Sequence, residues 1–247
     1  MRLKTGLNLT KNYSFNFDVR KRRKKNIKFI IVHYTGMKKE IEAIKKLRNR
    51  KSKVSSHYLI KNNGEILRLV PDRYVAWHAG QSNWKKLKSL NKYSIGIEIQ
   101  NTGHDNNCEN FSKNQITSTK KLLKYLIREY KINPKNVLGH SDIAPDRKKD
   151  PGEKFPWKEL SRFKVSQWHN LDEKILVRKR LILLNFAEES SFFKNLAKIG
   201  YLKISQKNHN SKKFSLTKAF QRHFRQKLIN GIPDQECLII SKNLLKS

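Results

Sequence analysis

The chain has 247 residues, enough for one large or two modest domains with a real hydrophobic core. It carries 55 Lys plus Arg against 20 Asp plus Glu, a net charge of +35, with 37% hydrophobic residues; this excludes a disordered composition and favours contact with something anionic. Two cysteines, Cys108 and Cys237, exclude a disulfide framework, and no apolar run nears the roughly 18 residues of a membrane-spanning helix.

Residues 1–26 are polar and end in the run Arg20-Lys21-Arg22-Arg23-Lys24-Lys25. They read as a loosely ordered basic arm, either a solvated charge run or a nucleic-acid arm. The opening MRLKTGLNLTKNYSFNFD lacks the continuous apolar stretch of a signal peptide. Residues 28–36 (KFIIVHYTG) predict a buried strand running into a loop. Helical spacing follows over 38–50. Residues 56–60 and 65–70 predict a hairpin around Asn62-Asn63-Gly64. Residues 75–92 are irregular, and SIGIEIQ at 94–100 is another buried strand. Apolar residues at helical spacing place a helix over 113–131. Val137 to His140 is a short strand before a long polar loop, and Phe155-Pro156-Trp157 opens a short helix. Alternating strands and helices predict an α/β fold, with a mixed central sheet flanked by helices. After about residue 166 only helical segments are expected, at 172–187, 190–200, 214–229 and 234–245. The expected organisation is therefore a basic arm at 1–26, a catalytic domain at 27–168 and a small C-terminal helical domain at 169–247.

Three candidate ligands cluster by type. His33 closes the first buried strand, His140 closes the last, and Asp150 follows ten residues later. Two imidazoles and a carboxylate make a three-ligand zinc site with a fourth position open. A packed histidine beneath a loop is the other reading of His33. Glu98 lies in an otherwise apolar strand, where a carboxylate must be paired or functional. A structural salt bridge and a general base both fit it. Strand alternation puts Gly96 on the same face as Glu98, and Gly96 is expected to leave open space beside the carboxylate.

The stretches FIIVHYTG, SSHYLIKNNGEILRLVPD, VAWHAGQSNW, NKYSIGIEIQN and LGHSDIAPDRKKDPGEKFPW together resemble the type 2 N-acetylmuramoyl-L-alanine amidases, zinc peptidoglycan hydrolases related to phage lysozyme-amidases and peptidoglycan recognition proteins. The two-domain members are the most similar, and the resemblance runs from about 27 to 165. It implies an amidase fold and one zinc ion per chain, held by His33, His140 and Asp150. It implies that Glu98 takes the proton of the attacking water and that Lys148 stabilises the oxyanion. His57 and the Trp77-His78 pair align with motif positions near the substrate groove, a packed strand residue being the other reading of His57. Tyr34 and Asn91 are assigned to the groove as well. The implied reaction is hydrolysis of the amide between the lactyl group of N-acetylmuramic acid and L-alanine of the stem peptide. A non-hydrolytic peptidoglycan-binding module is the alternative, disfavoured because both histidines, the Asp, the Glu and the Lys are present.

The C-terminal helices carry GY, AFQRHF and GIPD elements that resemble a peptidoglycan-binding domain; a buttress for the catalytic domain is the other reading. The Phe residues there read as core. Expected partners are peptidoglycan or muropeptides, with electrostatic association to an anionic envelope surface and no specific nucleic acid. Part of the charge is also explained by a base-composition bias that enriches Lys, Asn and Ile together. A monomer is expected. The expected location is the periplasm, cell envelope or exterior, with a cytoplasmic role in wall recycling as the alternative.

Overall fold

The computed structural model describes residues 8–203 and 209–246. In chain order the elements are β1 (Leu9–Lys11), β2 (Phe17–Asp18), β3 (Phe29–Tyr34), α1 (Glu40–Arg48), β4 (Tyr58–Ile60), β5 (Ile66–Arg68), β6 (Val75–Ala76), β7 (Asn83–Trp84), β8 (Leu87–Lys88), β9 (Ser94–Ile99), α2 (Lys113–Tyr130), β10 (Val137–Gly139), α3 (His140–Ile143), α4 (Trp157–Arg162), α5 (Glu173–Lys179), α6 (Phe186–Ile199), α7 (His209–Phe224) and α8 (Gln235–Lys246). Six strands form a mixed sheet in the order β1-β5-β4-β9-β3-β10. Only the β4–β5 hairpin in this sheet is antiparallel.

Side-chain alternation divides the sheet into two unlike faces. Ile30 and Val32 of β3 and Ile95, Ile97 and Ile99 of β9 point into one core, roofed by Leu122, Leu123 and Leu126 of α2. Ser112 and Gln115 form a reciprocal capping box that starts α2 where its apolar spacing begins. Phe29 and Ile31 of β3 and Leu138 of β10 point the other way. They share a second core with Phe192 and Leu196 of α6, Phe220 and Phe224 of α7 and Ile240 of α8. The phenylalanines at 192, 220 and 224 are buried, as their spacing predicts, whereas Phe186 and Phe214, also expected in the core, are exposed. The third inward residue of β3, after Phe29 and Ile31, is His33.

Two expectations need correction. Residues 8–26 are not loose. β1 pairs with β5 and β2 with β6, and Arg22 is buried. Its guanidinium donates to the carbonyls of Asp72 (2.8 Å), Asn91 (2.9 Å) and Ser94 (2.7 Å). One residue of the basic run is thus a buried clamp, which charge counting cannot separate from its solvated neighbours. Residues 1–7 of the arm lie outside the described residues. Arg22→Met strands those carbonyls without a donor, and the expected loss is about 3 kcal/mol of stability, read by chemical denaturation. A loss below about 0.5 kcal/mol, the scale of a surface substitution, refutes the clamp.

The helix expected over 172–187 is two helices. The chain leaves α5 after Lys179 because the Arg180 guanidinium turns inward onto Glu236 (2.6 and 2.7 Å) and Leu181 adopts a left-handed backbone. Asn185 then starts α6 with its own capping box to Glu188.

Candidate active site

His33 and Glu98 are direct cross-strand neighbours at the C-terminal ends of β3 and β9. His140 follows β10, which lies on the other side of β3. Far from ending a strand, it opens the short helix α3. The 140–150 loop returns so that the Ser141 N–H donates to the Asp150 carbonyl (2.9 Å), placing the Asp150 carboxylate beside both imidazoles. His33 Nδ1, His140 Nδ1 and Asp150 Oδ2 lie 2.9–3.0 Å from one another, all three residues buried.

The tautomers follow from the far end of each hydrogen-bond chain. The Ser94 hydroxyl donates to the Leu90 carbonyl (2.7 Å), which leaves its oxygen to accept from His78 Nε2 (3.2 Å). His78 Nδ1 then accepts from His33 Nε2 (3.1 Å), so His33 Nδ1 holds a lone pair. His140 Nε2 faces the Ala79 carbonyl (3.2 Å) and must donate, so its Nδ1 also holds a lone pair. Two lone pairs and a carboxylate oxygen therefore converge with no proton among them. Burial, then the neighbouring His140, lowers the His33 pKa to about 4. Burial pushes the Asp150 carboxyl up, but His140 and His33 outweigh it and hold it well below the usual carboxylate range. Such a triangle is stable around a cation. Zinc bonds of about 2.0–2.1 Å in tetrahedral geometry set ligand atoms roughly 3.3–3.4 Å apart, a few tenths of an ångström wider than seen here. The outward donors to Ala79 and His78 are the kind of support that fixes a ligating imidazole.

A cleft of about 550 Å³ opens beside this triangle, lined by Glu98, Lys148, Tyr34, Trp77 and His78 among others. Glu98 Oε2 is out of contact with solvent and has no hydrogen-bond partner. Burial, then the charge of Asp150, pushes the Glu98 carboxyl well above its ordinary value, with Lys148 and Lys46 opposing. The salt-bridge reading of Glu98 finds no partner among the described residues. Both the cluster and the unpartnered carboxylate sit where this sheet has its parallel strand ends, as α/β folds favour.

The comparisons with known proteins agree with this geometry. Residues 23–153 match the family model of N-acetylmuramoyl-L-alanine amidase. The chain is also 34% identical over 233 residues to the N-acetylmuramoyl-L-alanine amidase AmiD of Escherichia coli, covering 89% of this chain and 83% of that one. The chain belongs to the N-acetylmuramoyl-L-alanine amidase family. This amidase is similar to two solved structures that carry muropeptides. One is E. coli AmiD with anhydro-N-acetylmuramic acid-L-Ala-D-γ-Glu-L-Lys (TM-score 0.78, 34% identity, 90% of this chain and 89% of that chain). The other is AmpDh3 from Pseudomonas aeruginosa with an anhydromuramic pentapeptide (TM-score 0.78, 31% identity, 94% of this chain and 96% of that chain).

Not every residue assigned to the groove lines it. Tyr34, Trp77 and His78 line the cleft; His57 and Asn91 are not among its lining residues. His57 is buried, with its Nδ1 accepting from the Gly96 N–H (3.0 Å) and its Nε2 facing the Tyr74 carbonyl (3.1 Å). Asn91 Oδ1 accepts from the backbone N–H groups of His78 (3.1 Å) and Ala79 (2.7 Å), and so shapes the loop that carries His78. The space expected beside Gly96 is filled. A Cβ there would lie 2.4 Å from the His78 ring, so glycine is what lets His78 reach His33. Gly96→Ala is expected to cost about 1–3 kcal/mol by overpacking and to displace His78. A thermal melt and the imidazole N–H resonances check it; an unchanged melt with unchanged resonances removes the packing argument.

The amidase also holds supports that motif reading missed. Asp142 is buried and accepts from Gly139 N–H (2.7 Å), Tyr201 Oη (2.6 Å) and His223 Nδ1 (2.7 Å). Tyr201 and His223 come from the helical region, so that region reaches the loop carrying His140. A charged residue in HSDI was the available signal, since a buried carboxylate needs partners somewhere. Arg147 donates to the carbonyls of Ala79 (2.6 Å) and Gln81 and ties the 79–81 loop to the 144–150 loop.

Proposed function

We propose that this amidase hydrolyses the amide between the lactyl group of N-acetylmuramic acid and L-alanine of peptidoglycan stem peptides, in a zinc-dependent reaction. The carrying observation is the convergence of three proton-free donors, His33 Nδ1, His140 Nδ1 and Asp150 Oδ2, in a cleft that also holds an unpartnered Glu98 and Lys148. His33, His140 and Asp150 would hold the ion. Zinc(II) supplies Lewis acidity and lowers the pKa of water toward about 7.

The chain's own groups do the rest. Glu98, which lines the cleft and whose Oε2 has no hydrogen-bond partner, takes the proton of the attacking water and returns it to the leaving amine nitrogen. Lys148, one of four basic residues lining the same cleft with Lys46, Arg147 and Lys149, faces the oxygen that gains negative charge. Tyr34 and Trp77 supply aromatic walls. The Tyr34 hydroxyl bonds His104 Nδ1 (2.9 Å), and the Trp77 indole N–H donates to Asp18 (2.7 Å), so both rings are held before substrate arrives. The muropeptides bound to the two related structures support this substrate class.

The test uses intact sacculi and a soluble anhydro-muropeptide, each with and without chelator, with products identified by mass spectrometry. Free stem peptide that disappears on chelation and returns with zinc is the expected result. Release that ignores chelator removes the metal assignment, and no release from either substrate removes the reaction. Binding of sacculi without release is the outcome that the non-hydrolytic alternative predicts. Comparison of the two substrates also decides between intact wall and wall fragments.

A further inference from the structure

We infer that residues 175–186 form a surface that docks on an anionic lipid bilayer. Six exposed large apolar side chains fall within these residues: Ile175, Val177, Leu181, Ile182, Leu183 and Phe186. Leu181 is 65% exposed, Leu183 69% and Phe186 89%, so most of each residue is in contact with water. Single exposed leucines are ordinary; a run of this density is the mark of an interaction surface.

The exposure is built. Leu176 points into the core while Ile175 and Val177 on either side of it stay outside. Beyond α5 the backbone is pinned from below. Asp234 accepts from the Leu181 N–H (3.1 Å), the Gln235 N–H donates to the Ile182 carbonyl (2.9 Å), and Arg180 is clamped on Glu236. Leu181 has φ of +65°, a conformation that costs free energy for a residue with a Cβ. The fold thus holds Leu181, Ile182 and Leu183 outward in a fixed frame at some cost. Asn185 caps α6 and leaves Phe186 in its first turn, at the mouth of an open cleft floored by Phe193 and Ala197.

Charge selects the partner. Lys174, Arg178 and Lys179 are exposed within the same segment, and Lys194 and Lys198 rim the cleft. Of the nearby acids, Glu173 pairs with Lys158 and Lys227 and Glu189 with Lys213, while Asp172 and Glu188 accept hydrogen bonds at the starts of α5 and α6. A second copy of a chain at +35 would meet this basic patch with repulsion. Nucleic acid would match the charge and leave the leucines without a partner. An anionic bilayer satisfies both, with headgroups for the cations and an acyl boundary for the apolar side chains.

The full chain is tested by flotation with vesicles of phosphatidylcholine alone and of phosphatidylcholine mixed equally with phosphatidylglycerol. Selective binding to the mixed vesicles is expected. Lys174→Gln, Arg178→Gln and Lys179→Gln together should weaken it roughly 100-fold, at about fivefold per basic residue. Leu181→Ser, Leu183→Ser and Phe186→Ser together should weaken it at least tenfold and leave the melt and the hydrolysis of soluble muropeptide intact. Separately, Phe186→Trp should show an added emission blue-shift on mixed vesicles, which Leu181→Ser and Leu183→Ser in the same chain diminish. The proposal is overturned if the serine variant binds as tightly as the parent, because adhesion is then only the diffuse charge of the whole protein. It is overturned equally by absent binding to mixed vesicles, or by self-association that the serine variant removes. Vesicle binding, the reading that decides the proposal, depends on neither the metal nor hydrolysis.

Discussion

Glu98→Gln is expected to keep the fold, the metal and the substrate, and to lose about 10²–10⁴ in kcat, the range for removing a general base. The side chains are isosteric, and β9 is paired on both sides by β3 and β4, so the backbone has no freedom to move. No hydrogen bond is lost, because Glu98 Oε2 makes none. Burial and the Asp150 charge already disfavour the ionised form of Glu98, so the neutral amide should leave the melting temperature unchanged or raise it. A variant that is stable, metal-replete and inactive therefore separates chemistry from architecture. The measurements are kcat on soluble muropeptide, zinc content and a thermal melt. Activity within tenfold of the parent assigns the proton transfer elsewhere, and loss of zinc assigns Glu98 to the metal site.

What was legible in the sequence followed from strong local patterns. The strands at 29–34 and 94–99 announced themselves as β-branched runs, and α2 by its periodicity and cap. His33 and His140 stood out at the ends of expected strands and Glu98 within an apolar one, where a carboxylate carries a cost that needs a reason, whereas Asp150, in a polar loop, was assigned by the family resemblance. What was not legible depends on contacts far apart in the chain. Arg22 sits in a run of six basic residues and is the one of them with buried carbonyls around it, supplied by residues 72, 91 and 94. His57 shares a motif with its neighbours, yet it packs against Gly96, its neighbour in register just before β4 begins. His78 reaches His33 only because position 96 has no side chain, a relation between two strands' worth of sequence that neither segment states alone. The Asp142 cluster joins residues 59 and 81 positions apart, and it makes the helical region part of the support of His140. The buttress reading of that region thus gains a specific contact, independent of any affinity for the wall.

Lys148→Ala is expected to lower kcat by about 10²–10³, the usual cost of removing one stabiliser of developing charge, with KM changed little. Lys148 is held for this task by its surroundings. Its backbone N–H donates to the Ala144 carbonyl (3.0 Å), and Arg147 next to it pins the loop to the carbonyl of Ala79. Among the described residues no carboxylate lies within ion-pair distance of its ammonium, which lines the same cleft as Glu98 and His33. A competing role is charge balance for Glu98 and Asp150, and the two roles differ in sign at the metal. A cation beside a site for a dication opposes binding of the ion, so its removal should leave zinc affinity unchanged or tighten it. If Lys148 acted only by steadying the acidic groups, its loss would appear in zinc affinity or in the melt and would leave kcat of the fully loaded enzyme near the parent value. Zinc affinity by chelator competition, read beside kcat at saturating zinc, distinguishes them. Lys148→Arg supplies the control. It keeps the charge and changes its reach, so it should recover part of the rate if charge at the reacting oxygen is what matters, and none if the ammonium must occupy one exact place.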